Sequence, residues 1–215
     1  MSQIKACIFD LDGVIVDTAK YHYLAWKRLA NELGFDLTEQ QNEQLKGISR
    51  MASLDILLGI GDKFFDDHEK QELAGRKNAW YREYITQMKP DEIFPGVIKF
   101  LNEVKAAGIS TAIGSASKNA MTILEQLGIV DYFDSIIDGN KAKKAKPDPE
   151  VFLQASVELG VLPGHCVVFE DAQAGVEAAR NGGMFCVGVG SPLILGLADI
   201  VVAGLHEMKI EMLDF

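Results

Sequence analysis

The sequence predicts an α/β fold: a doubly wound, Rossmann-like parallel sheet with a helical cap domain inserted after the first strand. Three observations carry this. From residue 93 onward, short apolar runs alternate with helical segments of about ten residues, as βα units require. Between Asp17 and Lys89 the periodicity is helical, with little strand signal. Polar residues capable of chemistry fall at or just after successive predicted strands, where an open parallel sheet binds its ligands. The expected division is residues 1–16 and 93–215 as the core and 17–92 as the cap.

Taken in order, Lys5 to Phe9 is a short apolar run broken by Asp10 and Gly13, a buried strand ending in a loop. Tyr21, Leu24, Ala25, Leu29 and Leu33 then recur at helical spacing until Gly34. Leu54, Ile56, Leu57 and Leu58 mark a second helix before Gly59-Ile60-Gly61, and Glu69 to Met88 a third. Pro90 and Pro95-Gly96 punctuate the return to the core. Val97, Phe100, Leu101 and Val104 lie on one helical face; Gly108 stops that helix, and Ile109 to Gly114 is a strand. Ala120 to Leu127 is helical, Ser135 to Asp138 a short strand, Pro149 to Leu159 helical and Cys166 to Phe169 a strand. Ala172 to Asn181 is helical, Met184 to Val189 a strand, and Ile200 to Val202 an edge strand.

Composition narrows the function classes. The chain has 215 residues, 48% hydrophobic and 24% charged, ordinary for one globular domain with an insertion. Its formal net charge of −10 and the lack of a basic stripe argue against nucleic acid as a partner. No apolar run approaches the roughly 18 residues a spanning helix needs, so no membrane partner is expected. The N-terminus enters a strand and meets Asp10 at once, unlike a signal peptide. Cys7, Cys166 and Cys186 are far apart, odd in number and set in apolar runs, which reads as buried thiols in a reducing compartment. A soluble, cytoplasmic, monomeric protein is the expectation.

The candidate site comes from four elements. Asp10 and Asp12 end the first strand, Ser115 follows the second, Lys146 follows the third by a loop, and Glu170-Asp171 end the fourth. Paired carboxylates repel one another and are costly to desolvate. They make sense if one aspartate is a nucleophile and a cation holds the cluster together. A hard divalent cation takes oxygen ligands, and Asp10, Asp12, Glu170 and Asp171 are the oxygens on offer. With Lys146 as a fixed positive charge and Ser115 as a neutral donor, the set points to phosphoryl transfer, which runs on positioning and charge neutralisation. Gly188-Val189-Gly190 is no dinucleotide loop, since no third glycine stands at the needed spacing.

Phe9-Asp10-Leu11-Asp12-Gly13-Val14, Ser115, Lys146-Pro147-Asp148-Pro149 and Phe169-Glu170-Asp171 resemble, in order and spacing, the four motifs of the haloacid dehalogenase (HAD) superfamily phosphotransferases. The resemblance implies a HAD core in which Asp10 attacks phosphorus and becomes an aspartyl-phosphate, Asp12 is the general acid/base, and Mg²⁺ is essential. It implies that Asp10, Glu170 and Asp171 hold the metal, with Asp12 counted in the metal set and the Leu11 carbonyl as the donor from that segment. Lys146 would balance charge, and Ser115 would hold the phosphoryl group.

A finer likeness covers Thr18, His22, Trp26, Lys46-Gly47-Ile48-Ser49-Arg50, Arg76-Lys77-Asn78 and Ser115-Ala116-Ser117-Lys118-Asn119, which resemble the sugar-phosphate mutases of the same superfamily. These interconvert β-D-glucose 1-phosphate and β-D-glucose 6-phosphate through a bisphosphate. By that likeness Lys46, Gly47, Ser49 and Arg50 grip the distal phosphate and sugar, Arg being suited to bidentate phosphate contact. Ala116, Ser117, Lys118 and Asn119 bind on the core side, His22 couples cap closure to proton transfer, and Thr18 is a hinge residue. Trp26 reads first as cap core with at most an edge at the substrate, and Arg76, Lys77 and Asn78 as a polar helix face from which Lys77 alone would reach substrate. Closure of the cap would keep water from the aspartyl-phosphate. The rival readings are a phosphatase of the same superfamily, with water as the acceptor, and a non-catalytic binding protein on the same fold.

Overall fold

The computed structural model describes residues 4–45 and 49–214. The chain forms two compact units, Met1–Asp17 with Met88–Phe215, and Thr18–Gln87. Asp17 and residues 88–92, expected in the insertion, fall in the first unit.

The first unit is built on six strands: β1 (Ala6–Phe9), β2 (Ser110–Gly114), β3 (Ser135–Ile137), β4 (Cys166–Glu170), β5 (Phe185–Val189) and β6 (Ile200–Val202). They lie in the order β3-β2-β1-β4-β5-β6, and every neighbouring pair is parallel. A parallel sheet is covered on both faces, which is why β1 along its length, and β4 as far as Phe169, are apolar, and both strands are buried at every residue. The order reverses at β1: β2 lies on one side of it and β4 on the other. At such a switch point the flanking connections leave in opposite directions and open a crevice beyond the strand ends.

The second unit contains α1 (Ala19–Glu32), α2 (Glu39–Asn42), α3 (Arg50–Ile60) and α4 (Asp67–Ile85). Their starts are chemically specified. Thr38 accepts the backbone N–H of Gln41, whose side chain accepts the N–H of Thr38, and Asp66 and Glu69 repeat this exchange ahead of α4. Trp26, Leu29 and Ala30 of α1, Leu54, Leu57 and Leu58 of α3, and Leu73 and Ala74 of α4 form the unit's own core. The short α2 had no periodic signal of its own; its four residues are set by the Thr38 cap.

The sheet helices are α5 (Val97–Ala106), α6 (Ala120–Leu127), α7 (Glu150–Leu159) and α8 (Gln173–Asn181). On one face of the sheet Ile8, Ala112, Val168 and Cys186 pack with Val151, Phe152 and Ala155 of α7 and Val176 and Ala179 of α8. On the other, Phe9 and Phe169 stack with ring centroids 4.6 Å apart, and Phe100 of α5 meets Phe169 edge-on at 5.4 Å. Cys7, Cys166 and Cys186 are buried free thiols. Among the described residues no helix is long and apolar enough to cross a membrane.

Candidate active site

Asp10 is the residue after β1, and Glu170 ends β4, the adjacent strand. The register Phe9↔Phe169 sets the two carboxylates side by side at the switch point, and Asp10 N–H donates to the Phe169 carbonyl at 2.9 Å. Both are nearly inaccessible, Asp10 at 6% and Glu170 at 1%. Lys146 bridges them: its Nζ donates to Asp10 Oδ1 at 2.5 Å and to Glu170 Oε2 at 2.8 Å. Lys146 Nζ also lies over the Phe152 ring of α7, 4.7 Å from the ring centroid.

The third carboxylate is Asp171. Ligand atoms of Asp10, Glu170 and Asp171 lie within 4.8 Å of one another. Asp171 also packs against the turn after β1. Gly13 has φ +83°, and a Cβ there would overlap the Asp171 carboxylate, so both the backbone angle and the space call for glycine.

Electrostatics follows from this crowding. Burial alone would lower the Lys146 ammonium, but the adjacent Asp10 and Glu170 charges outweigh it and hold Lys146 above its ordinary value. Burial pushes the Glu170 carboxyl up against the opposing pull of Lys146. Burial, then the Asp10 charge, does the same to Asp171. Three carboxylates against one ammonium leave a formal excess of two negative charges, with Asp10 and Glu170 buried and Asp171 exposed. That donor set fits a hard divalent cation, which takes carboxylate oxygens and keeps waters for its remaining positions.

Two expectations about the metal set are corrected. The Asp12 side chain is outside the carboxylate group, which narrows the four expected ligands to three. The Leu11 carbonyl accepts the N–H groups of Ile15 at 3.0 Å and Val16 at 3.2 Å, so the turn itself uses both its lone pairs. Asp12 is carried instead on a tight loop closed by these bonds and by Gly13 N–H to the Val16 carbonyl at 2.9 Å.

Ser115 follows β2 and is 1% exposed. Its N–H donates to the Ile137 carbonyl at 2.9 Å, and its Oγ accepts the Ser117 N–H at 3.1 Å. With the oxygen so engaged, the hydroxyl proton is the part left to offer. The loop from Ala116 to Asn119 is held from outside: Gly139 N–H donates to the Ser117 carbonyl at 3.1 Å and Asn140 Nδ2 to the Lys118 carbonyl at 3.0 Å. Asn119 immediately precedes α6.

A family profile described as haloacid dehalogenase-like hydrolase matches residues 4–183. The chain belongs to the haloacid dehalogenase-like hydrolase family. Within it, the chain is 43% identical over 212 residues to β-phosphoglucomutase of Bacillus subtilis (strain 168), covering 98% of this chain and 94% of the relative. It is similar to a crystal structure of β-phosphoglucomutase from Clostridium difficile, with TM-score 0.88 and 46% identity over 98% of this chain and 95% of the other. It is also 33% identical over 186 residues to a phosphorylated carbohydrates phosphatase of Thermotoga maritima, covering 84% and 82% of the two chains.

The helical unit, Thr18–Gln87, carries the remaining candidate residues. Lys46 and Gly47 lie outside the described residues. Ser49 is the N-cap of α3, its hydroxyl accepting the Ala52 N–H at 3.2 Å, and Arg50 is the first residue of that helix and exposed. Thr18 is 1% exposed and precedes α1. Trp26 is a core residue of the unit at 3% exposure.

Lys77 departs from expectation. Arg76 is exposed and pairs with Glu32, but Lys77 is 2% exposed and belongs to no polar face. Its Nζ lies 2.8 Å from His22 Nδ1, 4.4 Å from the Trp26 ring centroid and 5.1 Å from that of Tyr81. Tyr81 in turn stacks on His22 at 4.1 Å, a contact with no signature in the sequence. Burial, then the Lys77 and Arg50 charges, lowers His22 to about 3. While Lys77 carries its charge, the neutral ring accepts a hydrogen bond from it at Nδ1, because an ammonium only donates, and the ring proton is then on Nε2.

Burial, then the Arg50 charge, lowers Lys77 to about 7 from 10.5. The unfolded chain therefore binds more protons than the folded one between these values, so stability rises with pH across that window. Lys77→Met should raise stability by about 2 kcal/mol at pH 7, and the gain should shrink toward zero near pH 10.5. Urea titrations at several pH values measure this. A wild type more stable than the variant at pH 7 would mean that the Trp26 and Tyr81 ring faces outweigh the burial penalty.

Proposed function

We propose that the protein is a β-phosphoglucomutase, interconverting β-D-glucose 1-phosphate and β-D-glucose 6-phosphate through an aspartyl-phosphate on Asp10 and β-glucose 1,6-bisphosphate. The reading rests on one arrangement, Lys146 held between Asp10 and Glu170 at the switch point of the sheet. Similarity to β-phosphoglucomutases along nearly the whole chain supports a sugar rather than water as the acceptor.

In this reading the free Asp10 carboxylate oxygen attacks phosphorus, the P–O bond to the sugar breaks, and the leaving oxygen takes a proton from Asp12. In the other half-reaction Asp12 removes the proton of a sugar hydroxyl as that oxygen attacks phospho-Asp10. The bisphosphate turns over in the site, and Asp10 takes the other phosphoryl group back. Ser115 donates its hydroxyl proton to a phosphoryl oxygen, and Lys146 neutralises charge that develops on it. Asp10, Glu170 and Asp171 would hold Mg²⁺, which when bound offsets the negative charge of the phosphoryl group. Lys46, Gly47, Ser49 and Arg50 grip the distal phosphate, with Ala116, Ser117, Lys118 and Asn119 as further substrate contacts. His22, with Lys77 on its Nδ1, supports proton transfer, and Thr18 serves as a hinge residue. The protein acts on a small soluble sugar phosphate, as a cytoplasmic monomer.

The phosphatase reading keeps the same four core motifs, and the likeness to the Thermotoga maritima phosphatase favours it. The assay that separates them supplies β-glucose 1-phosphate, Mg²⁺ and a trace of the bisphosphate. Glucose 6-phosphate formed without stoichiometric inorganic phosphate is the expected result. Inorganic phosphate in place of glucose 6-phosphate would overturn the mutase and leave the phosphatase.

A further inference from the structure

Gly175 sits in the first turn of α8 and is buried. Its φ lies outside the left-handed region, and its N–H donates to the Ala172 carbonyl at 3.0 Å like any residue beginning a helix. Conformational freedom therefore does not explain a glycine here. Alanine would be the better helix former, by about 1 kcal/mol. Space does explain it: a Cβ on Gly175 would overlap the Glu170 carboxylate.

Such an overlap with the end of a side chain is ordinarily relieved by swinging the side chain aside. Glu170 is pinned at both oxygens. Oε2 accepts Lys146 Nζ at 2.8 Å, and Oε1 accepts the Ala172 N–H at 3.2 Å. Lys146 is itself held by Asp10 at 2.5 Å, so moving Glu170 breaks a buried ion pair and disturbs the adjacent Asp10.

We propose that Gly175 is a positioning residue for the site: its missing Cβ lets the Glu170 carboxylate lie against the start of α8, where it meets Lys146 and faces Asp10 and Asp171. The consequence for metal rests on the Mg²⁺ assignment made above; the steric coupling between Gly175 and Glu170 does not.

The test is a two-residue cycle with Gly175→Ala, Glu170→Ala and the double variant, unfolded thermally in EDTA. In the wild-type background Gly175→Ala should lower Tm by about 5 °C or more. In the Glu170→Ala background the overlap is gone, so the same change should leave Tm level or raise it through helix propensity. If Gly175→Ala alone fails to fold, a folded double variant supports the proposal equally. Equal losses in both backgrounds would overturn it and assign Gly175 to helix packing. Calorimetric titration with MgCl₂ adds a second reading, in which Gly175→Ala weakens Mg²⁺ binding by roughly tenfold or more. Unchanged Mg²⁺ affinity would overturn the positioning role. Absence of Mg²⁺ binding in the wild type itself would instead sink the metal assignment, while the EDTA cycle still decides on Gly175.

Discussion

Asp10→Asn should lower turnover of β-glucose 1-phosphate by about 10⁴-fold or more, as loss of a nucleophile does elsewhere. An amide has no charged oxygen to attack phosphorus, and the other carboxylate beside Lys146, that of Glu170, has both oxygens engaged, Oε2 by Lys146 and Oε1 by the Ala172 N–H. Asp10 is 6% exposed and adjoins the buried Glu170 across the β1–β4 register, so no water-bathed substitute takes its position. The fold should survive. The Asn carbonyl oxygen still accepts from Lys146, and Lys146 keeps its ion pair with Glu170 at 2.8 Å. The expected picture is a folded protein that gains no phosphoryl group by intact mass spectrometry when incubated with the bisphosphate, whereas the wild type does. A phosphoryl adduct on the variant, or wild-type turnover, would show that another residue is the nucleophile.

Lys146→Met should destabilise the metal-free protein by about 3–5 kcal/mol, because it strands two buried carboxylates without their counter-charge. The Lys146 side chain is 12% exposed and those of Asp10 and Glu170 are 9% and 2%, so water cannot replace the lost ammonium. The pH dependence has a definite sign. Unpaired buried carboxylates have folded pKa values above their unfolded ones, so the folded state binds more protons. The variant's deficit is then largest at neutral and higher pH and narrows as acid protonates the pair. Mg²⁺ should restore part of the loss, since a divalent cation among Asp10, Glu170 and Asp171 replaces the missing charge. Urea denaturation in EDTA and in MgCl₂, at neutral and acidic pH, measures all three effects. A variant as stable as the wild type in EDTA would mean that the Asp10–Lys146–Glu170 bridge contributes nothing to the folded state.

Most of the core was legible because its signals are local. Each strand is an apolar run, each helix ends near a glycine, and Asp10, Ser115, Lys146 and Glu170 stand at or after strand ends where sequence order alone puts them. What failed was whatever depended on which atoms already have partners. The Leu11 carbonyl was a reasonable metal donor until Ile15 and Val16 were seen to occupy it. Lys77 lies between Arg76 and Asn78 in a charged stretch and still turns inward onto His22, Trp26 and Tyr81. Hydropathy assigns lysine to water, and only a packed cluster of ring faces around it reverses that.

By itself, then, the sequence determined the order of βα units, the place of the helical insertion and the residue types that phosphoryl transfer needs. Those follow from periodicity and spacing along one chain, which folding does not alter. The tertiary structure decided which side chains share a proton or a charge: Lys146 between Asp10 and Glu170, Asp171 rather than Asp12 in the carboxylate group, and Gly175 making room for Glu170. These depend on distances of a few ångströms between residues far apart in the chain, set by strand order and register.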